Sequence, residues 1–238
     1  MTWVAGADGC RAGWVVVARN MRTGAVHVRV ARTFAEVMGA PESPRITAVD
    51  IPIGLPDHAE HGGRPADRAA RELLGRPRMS SVFSPPVRGA LRARDYAAAV
   101  AASRASSAEG IGISKQTFGI LPKIAEVDVA MDRGAQSHVK ECHPELAFAE
   151  MASGGPLRAG KKTGDGQRER LALLKGAGFA DPLGAAGGAL KTPGVAVDDL
   201  LDAFACCWTA GRILDGRAVR VPERPGRDAR GLLMEIWR

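Results

Sequence analysis

At 238 residues, the chain is long enough to bury a substantial core without disulfides or a structural metal. An apolar content of 45% and a charged content of 25% are ordinary globular values, which argues against a disordered or low-complexity chain. The formal net charge of +7 is unevenly placed: Arg64, Arg68, Arg71, Arg76, Arg78, Arg88, Arg92 and Arg94 are set against only Asp67 and Glu72 in that stretch. Such a basic stretch is one mark of a nucleic-acid partner, although arginine in an Ala-, Gly- and Arg-rich chain also serves solubility.

No run of about 18 apolar residues is present to cross a bilayer, so no membrane partner is expected. The segment from Met1 to Gly9 lacks a basic region followed by a long apolar stretch, and no signal peptide is read there. Cys10, Cys142, Cys206 and Cys207 form no C-x-x-C pair, and the adjacent Cys206 and Cys207 read as small core hydrophobes. A reducing, cytoplasmic compartment fits these features.

In chain order, residues 2–7 are a short apolar strand closed by Asp8-Gly9 as a turn signal. Residues 14–18 are continuously apolar and residues 25–30 alternate, so three strands joined by turns at 9–13 and 20–24 read as a meander of hairpins. Thr33 opens a brief helix, with Glu36 completing a capping box. Residues 45–49 form a fourth strand ending at Asp50, ahead of Pro52, Gly54 and Pro56. Helical signal up to Pro86 is confined to about 66–74. Residues 90–105 look helical, and Pro122 should break the helical periodicity of 114–131. Residues 138–142 are a fifth strand, followed by a helix at 144–151. A basic, glycine-rich loop covers 154–166 and a helix covers 167–175. A long helix covers 198–214, acidic at its start and stopped near Gly216. Strand-like runs at 218–221 and 232–237 close the chain.

Three sequential strands followed by alternating elements predict an α/β fold with a mixed five-stranded sheet flanked by helices. No internal repeat or long linker appears. Residues 1–238 therefore read as one domain, with a helical insertion at about 51–137 between strands four and five.

The acids carry the functional signal. Asp8 ends strand one, Asp50 ends strand four, and Asp199 and Asp202 lie three apart at the start of the long helix, with Asp198 as its N-cap. If strands one and four are parallel neighbours, Asp8 and Asp50 emerge at one carboxyl edge, where active sites of open α/β sheets lie. Turns and caps explain each acid singly, but one arrangement, the RNase H-like one, requires all of them. Converging carboxylates repel unless cations lie between them, and oxygen-only ligands suit Mg²⁺ or Mn²⁺. Asp8, Asp50, Asp199 and Asp202 are thus the expected catalytic and metal-binding residues, holding two ions.

Ordered blocks extend this pattern from about residue 4 to residue 215. They include Gly6-Ala-Asp-Gly-Cys-Arg-Ala-Gly-Trp14, Val49-Asp-Ile-Pro-Ile-Gly-Leu-Pro56, Ser81-Val-Phe-Ser-Pro-Pro86 and Pro122-Lys-Ile-Ala-Glu-Val-Asp128. Glu141-Cys-His-Pro-Glu145, Lys161-Lys-Thr163 and Asp198-Asp-Leu-Leu-Asp-Ala203 follow. The chain resembles the family named domain of unknown function 429, regarded as predicted RNase H-like nucleases. Within the wider superfamily, Asp8, Asp50 and Asp199-Leu-Leu-Asp202-Ala203 are most similar to the acids of RuvC-type Holliday-junction resolvases, where strand four more often supplies Glu. Glu36 is poorly placed to act as the second acid of ribonuclease H itself, which leaves the substrate open.

Glu141 and His143, after strand five, are further catalytic candidates: Glu141 to complete the acidic cluster, His143 to orient a water or shuttle a proton. Glu145 reads as answering the dipole of the helix that Pro144 opens. Arg11, Lys123, Lys161 and Lys162 are the candidate substrate contacts, with the loop lysines suited to a phosphate. His58 and His61 lack a third nitrogen or sulfur ligand and read as loop residues. The expectation is a nuclease that hydrolyses phosphodiesters of DNA or RNA by a two-metal-ion mechanism. An actin-like ATP-dependent phosphotransferase and a non-catalytic nucleic-acid-binding module are the alternatives. No surface in the sequence marks a homo-oligomer interface.

Overall fold

The computed structural model describes residues 1–153 and 155–238, the side chain of Pro77 excepted. Its centre is a mixed sheet of β1 (Trp3–Cys10), β2 (Gly13–Asn20), β3 (Val26–Ala31), β4 (Ile46–Val49) and β5 (Val139–Glu141). The strand order is β3-β2-β1-β4-β5, with β1–β2 and β2–β3 antiparallel and β1–β4 and β4–β5 parallel. The predicted meander is present, and strands one and four are parallel neighbours, the condition on which the meeting of Asp8 and Asp50 depended. β1 is longer than expected. It continues through Asp8 and Gly9 because β2 pairs with it as far as Cys10 opposite Gly13, and the turn is only Arg11-Ala12. Asp8 therefore lies within β1, not at its end, although β4 pairs with β1 only up to Ala7 opposite Val49.

Helix α1 (Phe34–Met38) is capped by the Thr33 hydroxyl, but the Glu36 carboxylate accepts from Arg32 N–H, not from Thr33 as a capping box requires. Between β4 and β5 lie α2 (Pro65–Arg78), α3 (Tyr96–Ser106), α4 (Lys115–Gly119) and α5 (Leu121–Ala130). Pro122 separates the last two by sitting in the first turn of α5, where its missing N–H is harmless. After β5 come α6 (Pro144–Met151), α7 (Gly164–Gly176), α8 (Pro182–Ala186) and α9 (Val197–Leu214). Helix α7 begins inside the expected 154–166 loop, with Thr163 as its N-cap; Gly154 of that loop lies outside the described residues. The tail strands β6 (Arg220–Val221) and β7 (Ile236–Trp237) are shorter than predicted and pair with each other in a separate ribbon.

Strand alternation assigns the two faces of the sheet. Val4, Val15, Val17 and Ala48 face α6 and α9 in one core layer. Ala5, Ala7, Trp14, Val16 and Val49 face α1 and α5 in the other. All four cysteines are buried and free, as their apolar setting suggests. Gly6 explains how close α9 lies to the sheet: a Cβ there would come within 2.0 Å of Cys207 N and 2.3 Å of Ala203 O. A Gly6→Ala variant is expected to lose about 1–3 kcal/mol, the usual cost of overpacking, as read from the urea midpoint. Among the described residues, no helix is long and apolar enough to cross a membrane.

Candidate functional site

The period of two that puts Gly6 under α9 puts Asp8 on the same face, and the same rule puts Asp50 on the face of Ala48. The bond from Asp50 N–H to Ala7 O (3.0 Å) holds the two chain segments side by side at the carboxyl edge of the parallel pair. With Ala203 and Cys207 seated over Gly6, Asp202 is brought to that edge from above. Asp8, Asp50 and Asp202 thus line one cavity of about 300 Å³, with Lys161, His143, Glu145 and the rim residue Phe83.

The electrostatics are those of crowded anions. Burial, then the neighbouring Asp50 and Asp202, push the Asp8 carboxyl well above the ordinary range. Burial also raises Asp50, against the pull of His143 and Lys161. Asp202 is 1% exposed and is pushed up to about 6 by burial, although Lys161 Nζ donates to its Oδ2 at 2.5 Å. Its second oxygen, Oδ1, is buried without a partner. Against burial, Asp202 and Asp8 hold the Lys161 ammonium above its ordinary value, so it stays charged.

Other expected site residues are placed or engaged differently, and Glu141 is one of them although it too borders this cavity. Glu141 pairs opposite Val49 and so shares the face away from Asp50. It does not complete the acidic cluster: its oxygens accept from Arg64 at 2.5 and 2.9 Å and from Ile53 N–H at 2.6 Å. Asp198 is not the N-cap, which is Ala196; Asp199 Oδ2 accepts from Ala196 N–H at 2.9 Å and serves as the capping group. Asp199 lines a second, more open cavity of about 760 Å³ with Asp198, Arg11 and Lys162. Lys123 borders both cavities, but its ammonium donates to Gly13 O at 2.6 Å and lies over the Trp14 ring, bracing the β1–β2 hairpin.

Five of the eight arginines of 64–94 are engaged within the fold. Arg64 is buried between Asp67 and Glu141. Arg71 is tied to Gly62 O, Val82 O and Ser84 Oγ, Arg78 to Leu157 O and Arg158 O, and Arg88 to Asp128 and Asp228. Arg68 meets Glu60 and Gly63 O. These arginines hold a proline- and glycine-punctuated segment together where regular backbone pairing is sparse.

Sequence reasoning left Glu145 as a dipole partner, yet it enters the cavity from the first turn of α6. The available signal was Pro144 at the helix start, which places residue 145 beside the strand-five exit. His143, expected as a catalytic candidate, also lines the cavity. Its Nε2 faces Ser81 O at 3.3 Å, which favours the tautomer with hydrogen there, and its Nδ1 is buried and unpartnered.

The donor set is oxygen-rich, carries orphaned buried oxygens on Asp202 and Glu145 and gathers Asp8, Asp50, Asp202 and Glu145 around Lys161, a composition that fits a hard divalent cation. As the side chains stand, no group of three His, Cys, Asp or Glu among the described residues is gathered tightly enough to hold an ion; Lys161 supplies the local positive charge.

Fold and site together define an α/β protein with a buried acidic cavity at the carboxyl edge of its sheet. The chain belongs to the family described as Protein of unknown function (DUF429), whose model matches residues 6–227. No curated protein and no solved structure matches it.

Proposed function

We propose that this chain is a metal-dependent phosphodiesterase of the RNase H-like kind, acting on DNA or RNA in the cytoplasm. The observation that carries the reading is the convergence of Asp8, Asp50 and Asp202, from β1, β4 and α9, in one buried cavity. The strand order β3-β2-β1-β4-β5 with a helix across β1 agrees with that superfamily. Asp8, Asp50 and Asp202 would hold Mg²⁺ or Mn²⁺, whose bound charge stabilises a phosphoryl transition state. The unpartnered His143 Nδ1 would serve to accept a proton, and the burial of Asp8 and Asp202 limits screening of their charge by water. Arg11 and Lys162, on the adjoining open cavity, are the substrate-contact candidates for whose side chains neither an ion pair nor a hydrogen bond is described. With the arginines of 64–94 largely engaged, backbone contact rests on this second surface.

The test is cleavage of labelled single-stranded, duplex and branched DNA and RNA. Turnover should require Mg²⁺ or Mn²⁺, stop with EDTA and be lost in Asp8→Asn. Turnover that persists in Asp8→Asn, or no turnover on any of these substrates, overturns the reading. Binding that survives metal removal without turnover would instead support a nucleic-acid-binding module, and saturable ATP binding would support a phosphotransferase.

A further inference from the structure

The structure assigns to Glu145 a place beside Asp8, Asp50 and Asp202 as the fourth carboxylate of the cation-binding cavity, in the position that the sequence pattern gave to Asp199; this rests on the cation-binding reading above. Glu145 is 5% exposed and lines the cavity, and its two oxygens have different lots. Oε1 accepts from Arg170 Nη2 at 2.6 Å, and Arg170, itself wholly buried, is fixed by Gly166 O (3.0 Å) and Ala159 O (3.2 Å). Oε2 is buried with no hydrogen-bond partner. Arg78 Nε stands 3.9 Å from it and donates instead to Leu157 O at 2.6 Å.

A buried carboxylate with one oxygen clamped and the other bare has a directed lone pair, the state of a ligand whose partner is held by a second shell. An uncompensated buried acceptor is costly, so a purely structural Glu145 would be expected to pair both oxygens. Glu145 also acts electrostatically on Asp50 and on Asp202, which places it in the same cluster. Asp202 Oδ1 is the second unpartnered oxygen there. Asp199 also acts electrostatically on Asp8, but its carboxylate is engaged with Ala196 N–H and opens onto the outer cavity.

Mn²⁺ alone is the probe, read by electron paramagnetic resonance titration and calorimetry on the full chain without nucleic acid. Glu145→Gln should weaken Mn²⁺ binding by at least about tenfold, the lower bound for losing even an outer-shell partner. Asp199→Asn should leave it within about twofold, since capping does not reach the ion. Because Glu145→Gln leaves Arg170 without its anion, Glu145→Asp is measured too; it keeps the charge, retracts the oxygen by one methylene, and should weaken binding several-fold in a folded protein.

Unchanged affinity in both Glu145 variants, with loss in Asp202→Asn, overturns the role of Glu145 while leaving the cation site standing. Wild-type protein that binds no Mn²⁺ overturns both. Loss in Asp199→Asn but not in Glu145→Asp returns the position to Asp199.

Discussion

Replacing Arg64 by methionine is expected to destabilise the protein by about 3–5 kcal/mol, the cost of breaking a buried ion pair from one side. Arg64 is 2% exposed and its guanidinium meets Asp67 Oδ1 at 2.7 Å, Glu141 Oε1 at 2.5 Å, and the carbonyls of Ile53 and Gly54 at 2.9 and 3.0 Å. Both acids are nearly fully buried, so methionine would leave each carboxylate with only a backbone N–H donor and no balancing charge, and two carbonyls without their donor. The segment after β4 depends on this hub: Ile53 N–H also donates to Glu141, which ties the start of the crossover to β5. Urea unfolding checks the magnitude. Adding Glu141→Gln to the methionine variant should recover part of the loss, because a neutral amide still accepts from Ile53 without carrying an unpaired charge. A midpoint for Arg64→Met near wild type would show that the pair is not structural.

In the absence of divalent cations, the acidic cavity is expected to make the protein less stable as the pH rises from about 4 to about 7. Asp202 is the clearest case. Its folded pKa lies at about 6 against 3.8 for the free side chain, because burial penalises the charge more than Lys161 compensates it. Between those values the folded protein retains a proton that the unfolded chain has released, so stability falls with pH. The contribution is fully present below about pH 4 and lost as the pH passes about 6, and it amounts to on the order of 2–3 kcal/mol. Asp8 and Asp50 are shifted in the same direction and reinforce the sign.

Urea midpoints of wild type and Asp202→Asn, compared at pH 4, 5, 6 and 7, isolate this contribution, since asparagine cannot titrate. Wild type should lose ground against the variant as the pH rises; a gain would mean that Lys161 outweighs burial. Mn²⁺ should reverse the trend, because a cation bound to the ionised carboxylates stabilises the folded state more at high pH than at low.

Much of the fold was legible in the sequence because the signals were local. Alternation in residues 25–30, the turn residues of the meander, the proline at 122 and the acidic start of α9 each act within a few residues. The same is true of Asp8 and Asp50, which sit where apolar strand pattern meets glycine and proline. The boundaries that slipped were settled by partners distant in sequence. β1 extends past Asp8 because β2 continues to pair with it, and the tail strands are short because they pair over only two residues each, with one further bridge from Trp237 to Cys142.

The amino-acid order by itself determined which residues make strands and helices, and that acids fall at the edge of two strands and the head of one helix. Only the tertiary structure decided which of those acids meet. Strand register turned Glu141 to the face opposite Asp50, and Arg64 reached across from α2 to engage it. The close seat of α9 on Gly6 brought Asp202 inward while Asp199, three residues earlier in the first turn, was taken up by its own helix end. Helix α6 brought in Glu145, and a buried arginine from α7 oriented it. Periodicity records the face a side chain occupies within its own element; which charges share a cavity depends on register, crossing and burial between elements far apart in the chain.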